Sequence, residues 1–362
     1  MSGSNRDVSP IKCVVWDLDD TVWRGILAEG DALELHPAIT DVLAELDRRG
    51  ILLSVASRND HDAAWAALKR FGLDHYFLHP QIGWGDKSES VQRIATELNL
   101  GLDAFAFVDD QPYERAEVAH HHPGVRCYDS AELAELPARA EFHPRFVTDE
   151  SARRRELYRL DGVRREAEES NGEGSNAFNR SLDMTFRITR ATVADLQRIE
   201  ELTVRTNQLN ATGRTYTYEE LSGYLDSPAH LLLVAELEDK FGSYGKIGVA
   251  LVEQNAEAWI IQLLLMSCRV MSRGVGTVLF HHLINEALRS GRSVQADLVD
   301  TGRNRQMVLT YRFAGLRKAD PLPEGGHRWT YPSGEPKPYP DFIKLEVPDL
   351  ATSRNGDKSL SG

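Results

Sequence analysis

The chain has 362 residues, 41% apolar and 27% charged, a globular composition long enough for two ordinary domains. Its formal net charge of -13 argues against general nucleic-acid binding, which needs a basic footprint to neutralise phosphates. With no apolar run near 18 residues and no signal-peptide core at the N-terminus, the expectation is a soluble, cytoplasmic protein without a membrane partner.

Residues 11–16 form an apolar run of strand length that stops on Asp17, Asp19 and Asp20. Such a run reads as a buried parallel strand delivering carboxylates to the carboxyl edge of a sheet, where open α/β sheets bind ligands. Side chains two apart on an extended chain share a face, so Asp17 and Asp19 are expected in one pocket. Two such charges normally need a cation between them, and Mg²⁺ is the expected cofactor.

A helical pattern follows over 39–49, with Ile39, Val42, Leu43 and Leu46 on one face and Gly50 ending it. A second apolar strand, 51–56, stops on Ser57-Arg58-Asn59-Asp60. Next come a helix over 63–71, Gly72, a short strand near 76–78 and the loop Gly83-Trp84-Gly85-Asp86-Lys87. A helix over 88–98 and a strand over 104–108 lead to Asp109-Asp110-Gln111-Pro112. This βαβαβαβ alternation predicts a parallel sheet with right-handed crossovers.

The strand ends and loops carry what phosphoryl transfer needs. A hydroxyl with neighbouring amides at Ser57 can hold phosphate oxygens, Lys87 can neutralise developing charge, and Asp109 with Asp110 can complete a metal site. Taken singly, Ser57 also reads as a helix N-cap, Lys87 as a solvated loop cation and Asp109-Asp110 as a turn. Together, Asp17-x-Asp19-x-Thr21, Ser57, Lys87 and Asp109-Asp110 resemble motifs I to IV of the haloacid dehalogenase (HAD) superfamily, in order. The resemblance implies Asp17 as nucleophile and Asp19 as acid and then base, with Mg²⁺ held by Asp17, the backbone carbonyl of Asp19, Asp109 and Asp110. About 35 residues separate Thr21 from Ser57 and about 30 separate Ser57 from Lys87, enough for ordinary crossovers only, so an open, capless site is expected.

From His120 the pattern loosens. His120-His121-His122 reads as a solvated helix end, because adjacent histidines do not readily converge on one ion. A charged helix is expected from about 148 to 169, containing Arg153-Arg154-Arg155 and Tyr158, with the polar loop 170–176 behind it. The arginine run reads as a solvated face or as the border of a phosphate-bearing cleft.

The second half opens with a strand over 184–188 and a helix over 193–203. Residues 231–237 and 247–252 read as antiparallel strands joined by a glycine-rich hairpin, and 258–266 as a long apolar strand. Ser272-Arg273-Gly274-Val275-Gly276-Thr277 then opens a helix through Leu288. A glycine turn feeding a helix N-terminus is a ready anion site, because free amides and the helix dipole both point outward. Strand, turn and helix in this order resemble the acetyl-CoA-binding core of GNAT acyltransferases. Met271 stands where that pattern begins with Gln or Arg, so CoA is not carried over, whereas a phosphopantetheine arm along the strand remains compatible. Arg303 and Asn304 open a last helix through Phe313, and 351–362 has tail composition.

One family unites these segments. Val15-Trp16-Asp17-Leu18-Asp19-Asp20-Thr21-Val22-Trp23, Ala56-Ser57-Arg58-Asn59-Asp60, Gln81-Ile82-Gly83-Trp84-Gly85-Asp86-Lys87-Ser88, Phe107-Val108-Asp109-Asp110-Gln111-Pro112, Thr206-Asn207-Gln208-Leu209-Asn210 and Leu265-Met266-Ser267-Cys268-Arg269-Val270 resemble the FkbH-like family, over about 11–347. The resemblance implies a glyceryl transferase and phosphatase that takes D-1,3-bisphosphoglycerate and loads a glyceryl thioester on an acyl carrier protein for polyketide biosynthesis, as a methoxymalonyl or tetronate piece. The expected fold class is α/β, a capless HAD-like Rossmannoid parallel sheet over 1–147 and a GNAT-like α/β domain over 182–347. A helical linker over 148–181 joins them, and 348–362 is expected to be a disordered tail.

The cysteines, Cys13, Cys127 and Cys268, form neither a metal-spaced set nor a disulfide framework. Cys268 follows the long strand and precedes the glycine turn, so it reads either as a transient acyl carrier activated by Arg269 and Arg273 or as a packed cysteine. Asn207 reads as a ligand for glycerate hydroxyls or a pantetheine amide, and equally as a turn residue; Arg58, Asn59, Arg273, Gly274, Gly276 and Asn304 complete the expected substrate contacts. A plain Mg²⁺-dependent phosphatase with an appended binding module is the alternative, and a non-enzymatic carrier-docking factor a third reading.

Overall fold

The computed structural model describes residues 10–172 and 174–347, so the expected tail over 348–362 lies outside the described residues. The chain divides into two compact units, 1–162 and 163–362.

The first unit contains β1 (Cys13–Trp16), a two-strand ribbon of β2 (Trp23–Arg24) and β3 (Glu34–Leu35), α1 (Ile39–Arg48), β4 (Leu52–Ser57), α2 (His61–Arg70), β5 (Gln81–Ile82), α3 (Lys87–Leu98), β6 (Phe105–Asp109), α4 (Pro112–His121) and β7 (Arg126–Asp129). The main sheet runs β5-β4-β1-β6-β7, every pair parallel. β1 is buried on both faces, and its alternation assigns them. Val14 and Trp16 pack with α1 and α2, while Cys13 and Val15 pack with α3 and Val118 of α4. Cys13 is therefore a core residue, as its place on the strand leads one to expect.

The parallel register sets the site. Trp16 pairs with Val55 on one side and Val108 on the other, so Asp17, Ser57 and Asp109 leave the sheet at the same edge. The strand order reverses around β1, and a crevice at such a switch point is where open α/β sheets hold ligands.

Two expectations shift here. The strand near 76–78 is reduced to one bridge, Leu53 to Phe77, because His79 adopts a left-handed φ of 48° and Pro80 has no N–H to give. Pairing resumes at β5. A fifth strand, β7, completes the sheet although its Arg-Cys-Tyr-Asp sequence has no apolar run to mark it.

Beyond β7 lie α5 (Asp149–Ala152), α6 (Arg154–Asn171) and α7 (Ser175–Arg180). Of the arginine run, only Arg153 is solvated, paired with Glu156 on the surface. Arg154 is buried and donates to the Gly50 carbonyl at 2.9 Å, and Arg155 pairs with Asp47 at 2.9 Å. Gly50 has φ 70°, and a Cβ there would stand 2.5 Å from the Ser151 carbonyl, so this contact requires glycine.

The second unit continues with β8 (Met184–Arg190), α8 (Leu196–Arg205), α9 (Tyr218–Asp226), β9 (His230–Asp239), β10 (Gly242–Gln254), β11 (Ala258–Met266), α10 (Val275–Arg289), β12 (Ser293–Leu298), α11 (Arg305–Phe313), β13 (Arg317–Pro321), β14 (His327–Thr330) and β15 (Ile343–Glu346). The sheet runs β13-β14-β12-β11-β10-β9-β8-β15. β8 to β11 are antiparallel neighbours, and α10 carries the chain across to β12, parallel to β11. Strand, glycine turn and helix thus stand in the order expected from the sequence, in a mixed α/β sheet.

β11 and β12 pair only over 258–261 and 293–296. Farther along, residues 209–211 fill the gap. Met266 donates to the Leu209 carbonyl at 2.9 Å, Ala211 donates to Leu264 at 3.0 Å, and Val299 donates to Ala211 at 3.0 Å. No helix among the described residues is long and apolar enough to cross a membrane.

Candidate functional site

At the carboxyl edge of the parallel sheet, Asp17, Asp19, Ser57, Arg58, Lys87, Asp109, Gln111 and Glu114 line an open cavity of about 580 Å³. The three alternative readings of the motif residues resolve locally. The N-cap of α2 is Asp60, whose side chain accepts from Ala63 N at 2.9 Å, which frees the Ser57 hydroxyl from that duty. Lys87 is 3% exposed and no solvated cation. Asp109 does cap a turn, accepting from Gln111 N through Oδ1, but its Oδ2 accepts from Lys87 Nζ at 3.1 Å.

Lys87 is the hub. Its ammonium bonds Asp17 Oδ1, Asp109 Oδ2 and, at 2.8 Å, the Ala56 carbonyl. Burial alone would lower its pKa, yet Asp17 and Asp109 outweigh that and hold it above the usual lysine value. Burial pushes Asp17 up to about 7, helped by the charge of Asp109 and opposed by Lys87. Asp110 and Glu114 are likewise raised, first by burial and then by Asp109, with Lys87 and Arg58 opposing at Glu114. These upward shifts come first from burial of the carboxyls, with the charge of Asp109 adding to it.

Carboxylate oxygens of Asp17, Asp109 and Asp110 lie within 4.8 Å of one another. Such a set of hard oxygen donors suits a small divalent cation. Asp19 stands apart from it. Its carboxylate accepts from Trp23 Nε1 at 2.8 Å, from Asn59 Nδ2 at 3.0 Å and from Leu27 N at 3.3 Å, so this side chain is engaged away from the three acids, and the metal contact expected of Asp19 is one through its backbone carbonyl. Held that way on the cavity wall, Asp19 is placed for proton transfer. Asn59, expected on substrate, instead bonds both Asp19 and Ser57 Oγ, the latter at 3.2 Å.

Arg58 spans the rim. Its guanidinium bonds Glu114 at 3.1 Å, Asp86 at 3.3 Å and the Gly85 carbonyl at 3.3 Å, and stays 37% exposed toward solvent and ligand. Sequence reading missed Glu114, Gln111 and Trp23. Glu114 falls four residues after Asp110, one turn along α4, a spacing that puts it beside the strand end.

In the second unit, Gly274, at φ 74°, and Gly276 line a groove of about 530 Å³ with Met266, Val270, Met271 and Gln306. A Cβ on Gly276 would stand 3.4 Å from Met266 Cγ, so the small residue keeps this wall open. Other expected residues are placed elsewhere. Arg273 is 5% exposed, bonded to Glu168 at 3.0 Å and Asn179 at 3.1 Å, so it braces α6 and α7 instead of meeting a ligand. Arg269 donates to the Tyr244 carbonyl at 2.8 Å. Cys268 is a half-buried thiol just after β11. Asn207 is exposed. The edge of β11 at Leu264 and Met266 is already paired with 209–211, so an arm cannot add there as a strand.

Asn304, expected on substrate, is wholly buried, donating to the carbonyls of Asn210, Ala211 and Val299 and accepting from Thr301 N. It staples the 209–211 insert to the loop after β12. Asn304→Ala should destabilise the second unit by about 2 kcal/mol, since several buried carbonyls lose their donor. Thermal melts would show it; unchanged melting with lost acyl transfer would return Asn304 to the binding site.

Residues 23–121 match the haloacid dehalogenase-like hydrolase family. The first unit therefore carries a HAD-like hydrolase domain, whose matched segment includes Ser57, Lys87 and Asp109; Asp17 and Asp19 lie just before it and join through the sheet register. Among solved structures, the chain is similar to the N-terminal part of protein BF1531 from Bacteroides fragilis, described as containing a phosphatase domain complexed with Mg, at 29% identity and TM-score 0.32. That match covers 36% of this chain and 40% of the other, so the chain spans about two fifths of that structure. It is also similar to the ribosomal-protein-S18-alanine N-acetyltransferase from Escherichia coli (15% identity, 40% and 90% covered, TM-score 0.30). A third match is yncA, a putative acetyltransferase from Salmonella typhimurium solved with acetyl-CoA (18% identity, 43% and 98% covered, TM-score 0.32).

Proposed function

We propose that the chain is a Mg²⁺-dependent enzyme of FkbH-like type, which dephosphorylates D-1,3-bisphosphoglycerate and loads its glyceryl group as a thioester on an acyl carrier protein. The observation that carries the phosphatase half is the convergence of Asp17, Asp109 and Asp110 around Lys87 at one sheet edge. Asp17, Asp109 and Asp110 would hold Mg²⁺, which when bound offsets negative charge on the phosphoryl oxygens. Asp17 gives a carboxylate oxygen to phosphorus while Asp19 protonates the departing oxygen. Asp19, still held by Trp23 and Asn59, then takes a proton from the water that attacks the aspartyl-phosphate. Ser57 and Lys87 hold the phosphoryl oxygens, and Arg58 offers a second cation at the rim for another anionic group.

For the acyl half, the carrier thiolate attacks the acyl carbon of an acyl phosphate, the carbon–oxygen bond to phosphate breaks, and phosphate leaves with the electron pair. The groove beside Gly274 supports this reading as the place for the phosphopantetheine arm. The occupied edge of β11 favours the alternative, a plain phosphatase with an appended binding module.

Mass spectrometry of a carrier protein incubated with enzyme, Mg²⁺ and 1,3-bisphosphoglycerate separates the two. A glyceryl mass shift on the carrier is expected; phosphate release without the shift would leave only the phosphatase. Cys268→Ala in the same assay decides the thiol's part. Undiminished loading would make Cys268 a packed cysteine, and a glycerated Cys268 peptide would make it the transient acyl carrier.

A further inference from the structure

Helix α11 has two working faces. Gln306, Met307 and Thr310 look into the 530 Å³ groove. A neighbouring stripe of Arg305, Leu309, Arg312 and Phe313 faces solvent, at helical spacing. Phe313 is 85% exposed, the most exposed large apolar side chain among the described residues, and Leu309 is 36% exposed. An aromatic ring held in water on a rigid helix costs free energy unless something covers it, and exposed apolar surface rimmed by charge is typical of an interaction site.

The rim is basic. α11 contains no acidic residue, Arg303 precedes it, and Lys337 Nζ lies 3.4 Å from where a Cβ on Gly315 would stand, just past the helix end. This concentration of cations occurs on a chain of net charge -13, so its electrostatic preference runs opposite to the whole. The matching partner surface is acidic, with an apolar centre to receive Phe313.

We propose that this stripe docks an acidic carrier domain, whose thiol-ended arm passes around α11 into the groove. The proposal rests on the acyl-transfer reading and goes beyond it by assigning the protein surface that brings the thiol. The dock and the groove are two sides of one helix, about 10 Å across, so a short detour delivers the arm.

The test uses the full chain with Mg²⁺ and 1,3-bisphosphoglycerate, a holo-acyl carrier protein as probe, and para-nitrophenyl phosphate as a carrier-independent substrate. Arg305→Glu with Arg312→Glu, and separately Phe313→Ala, should raise the KM for the carrier about tenfold or more with kcat little changed, and leave para-nitrophenyl phosphate hydrolysis at the wild-type rate. Added salt should weaken carrier use by wild type and not by the double variant. Wild-type KM in both variants would overturn the docking face while the acyl-transfer reading stands. So would sedimentation showing that Phe313→Ala splits a dimer of this chain without changing carrier KM. Failure of the wild type to load the carrier, with phosphate hydrolysis intact, would remove the acyl-transfer reading and this proposal with it.

Discussion

Asp17→Asn should fold normally and release phosphate roughly ten-thousandfold more slowly than wild type, the scale of loss when a catalytic nucleophile is removed. The amide is nearly isosteric, and its oxygen can still accept from Lys87, so the hub around the ammonium survives. Stability should not fall, because the substitution removes a buried charge whose desolvation pushes its carboxyl up to about 7 and whose neighbour is Asp109. Acid quenching during turnover should trap labelled phosphate on an Asp17 peptide in wild type and none in the variant. Asp19→Asn complements this: with the proton carrier gone but the nucleophile intact, label should persist on Asp17 because water is no longer activated. Turnover by Asp17→Asn within tenfold of wild type would end the nucleophile assignment.

The features legible in the sequence share a physical character. Asp17, Ser57, Lys87 and Asp109 could be read because each ends or follows an apolar strand, and a parallel sheet aligns all such ends at one edge. Cys13 could be read as core from its place on a doubly buried strand. What escaped reading depends on partners far along the chain. Nothing local marks Arg154 and Arg155 as engaged, because their acceptors, Gly50 and Asp47, lie about a hundred residues away. Arg273 and Asn304 stood beside a ligand-like turn, yet each is spent on buried contacts, with Glu168 and Asn179 in one case and the 209–211 insert in the other. No local period announces an insert that takes over a strand edge. Asp19 shows the intermediate case: its position was legible, but the Trp23 indole and Asn59 amide that give its carboxylate a proton-handling place were not.

Lys87→Met should expose how the site balances its charges. Asp17 and Asp109 would remain buried, 7% and 1% exposed, with their shared counter-ion removed. Breaking a buried pair from one side costs about 3–5 kcal/mol, because the stranded charge has neither water nor partner. With a chelator present, the first unit should melt roughly 10 °C lower than wild type. Asp17 offers partial escape by taking a proton: its folded pKa is already above the unfolded value of 3.8, so protonation favours the fold. Stability of the variant should therefore be higher in acid and decline as pH rises through the raised value, the sign expected when the folded state binds the extra proton. Mg²⁺ should supply the missing positive charge, and so raise the variant's melting temperature by more than it raises that of wild type. Activity should stay low even then, since an ion among Asp17, Asp109 and Asp110 does not replace the ammonium that meets the transferring phosphoryl group. If Mg²⁺ stabilises neither protein, the three carboxylates are not a cation site, and the buried acids must be balanced by Lys87 alone.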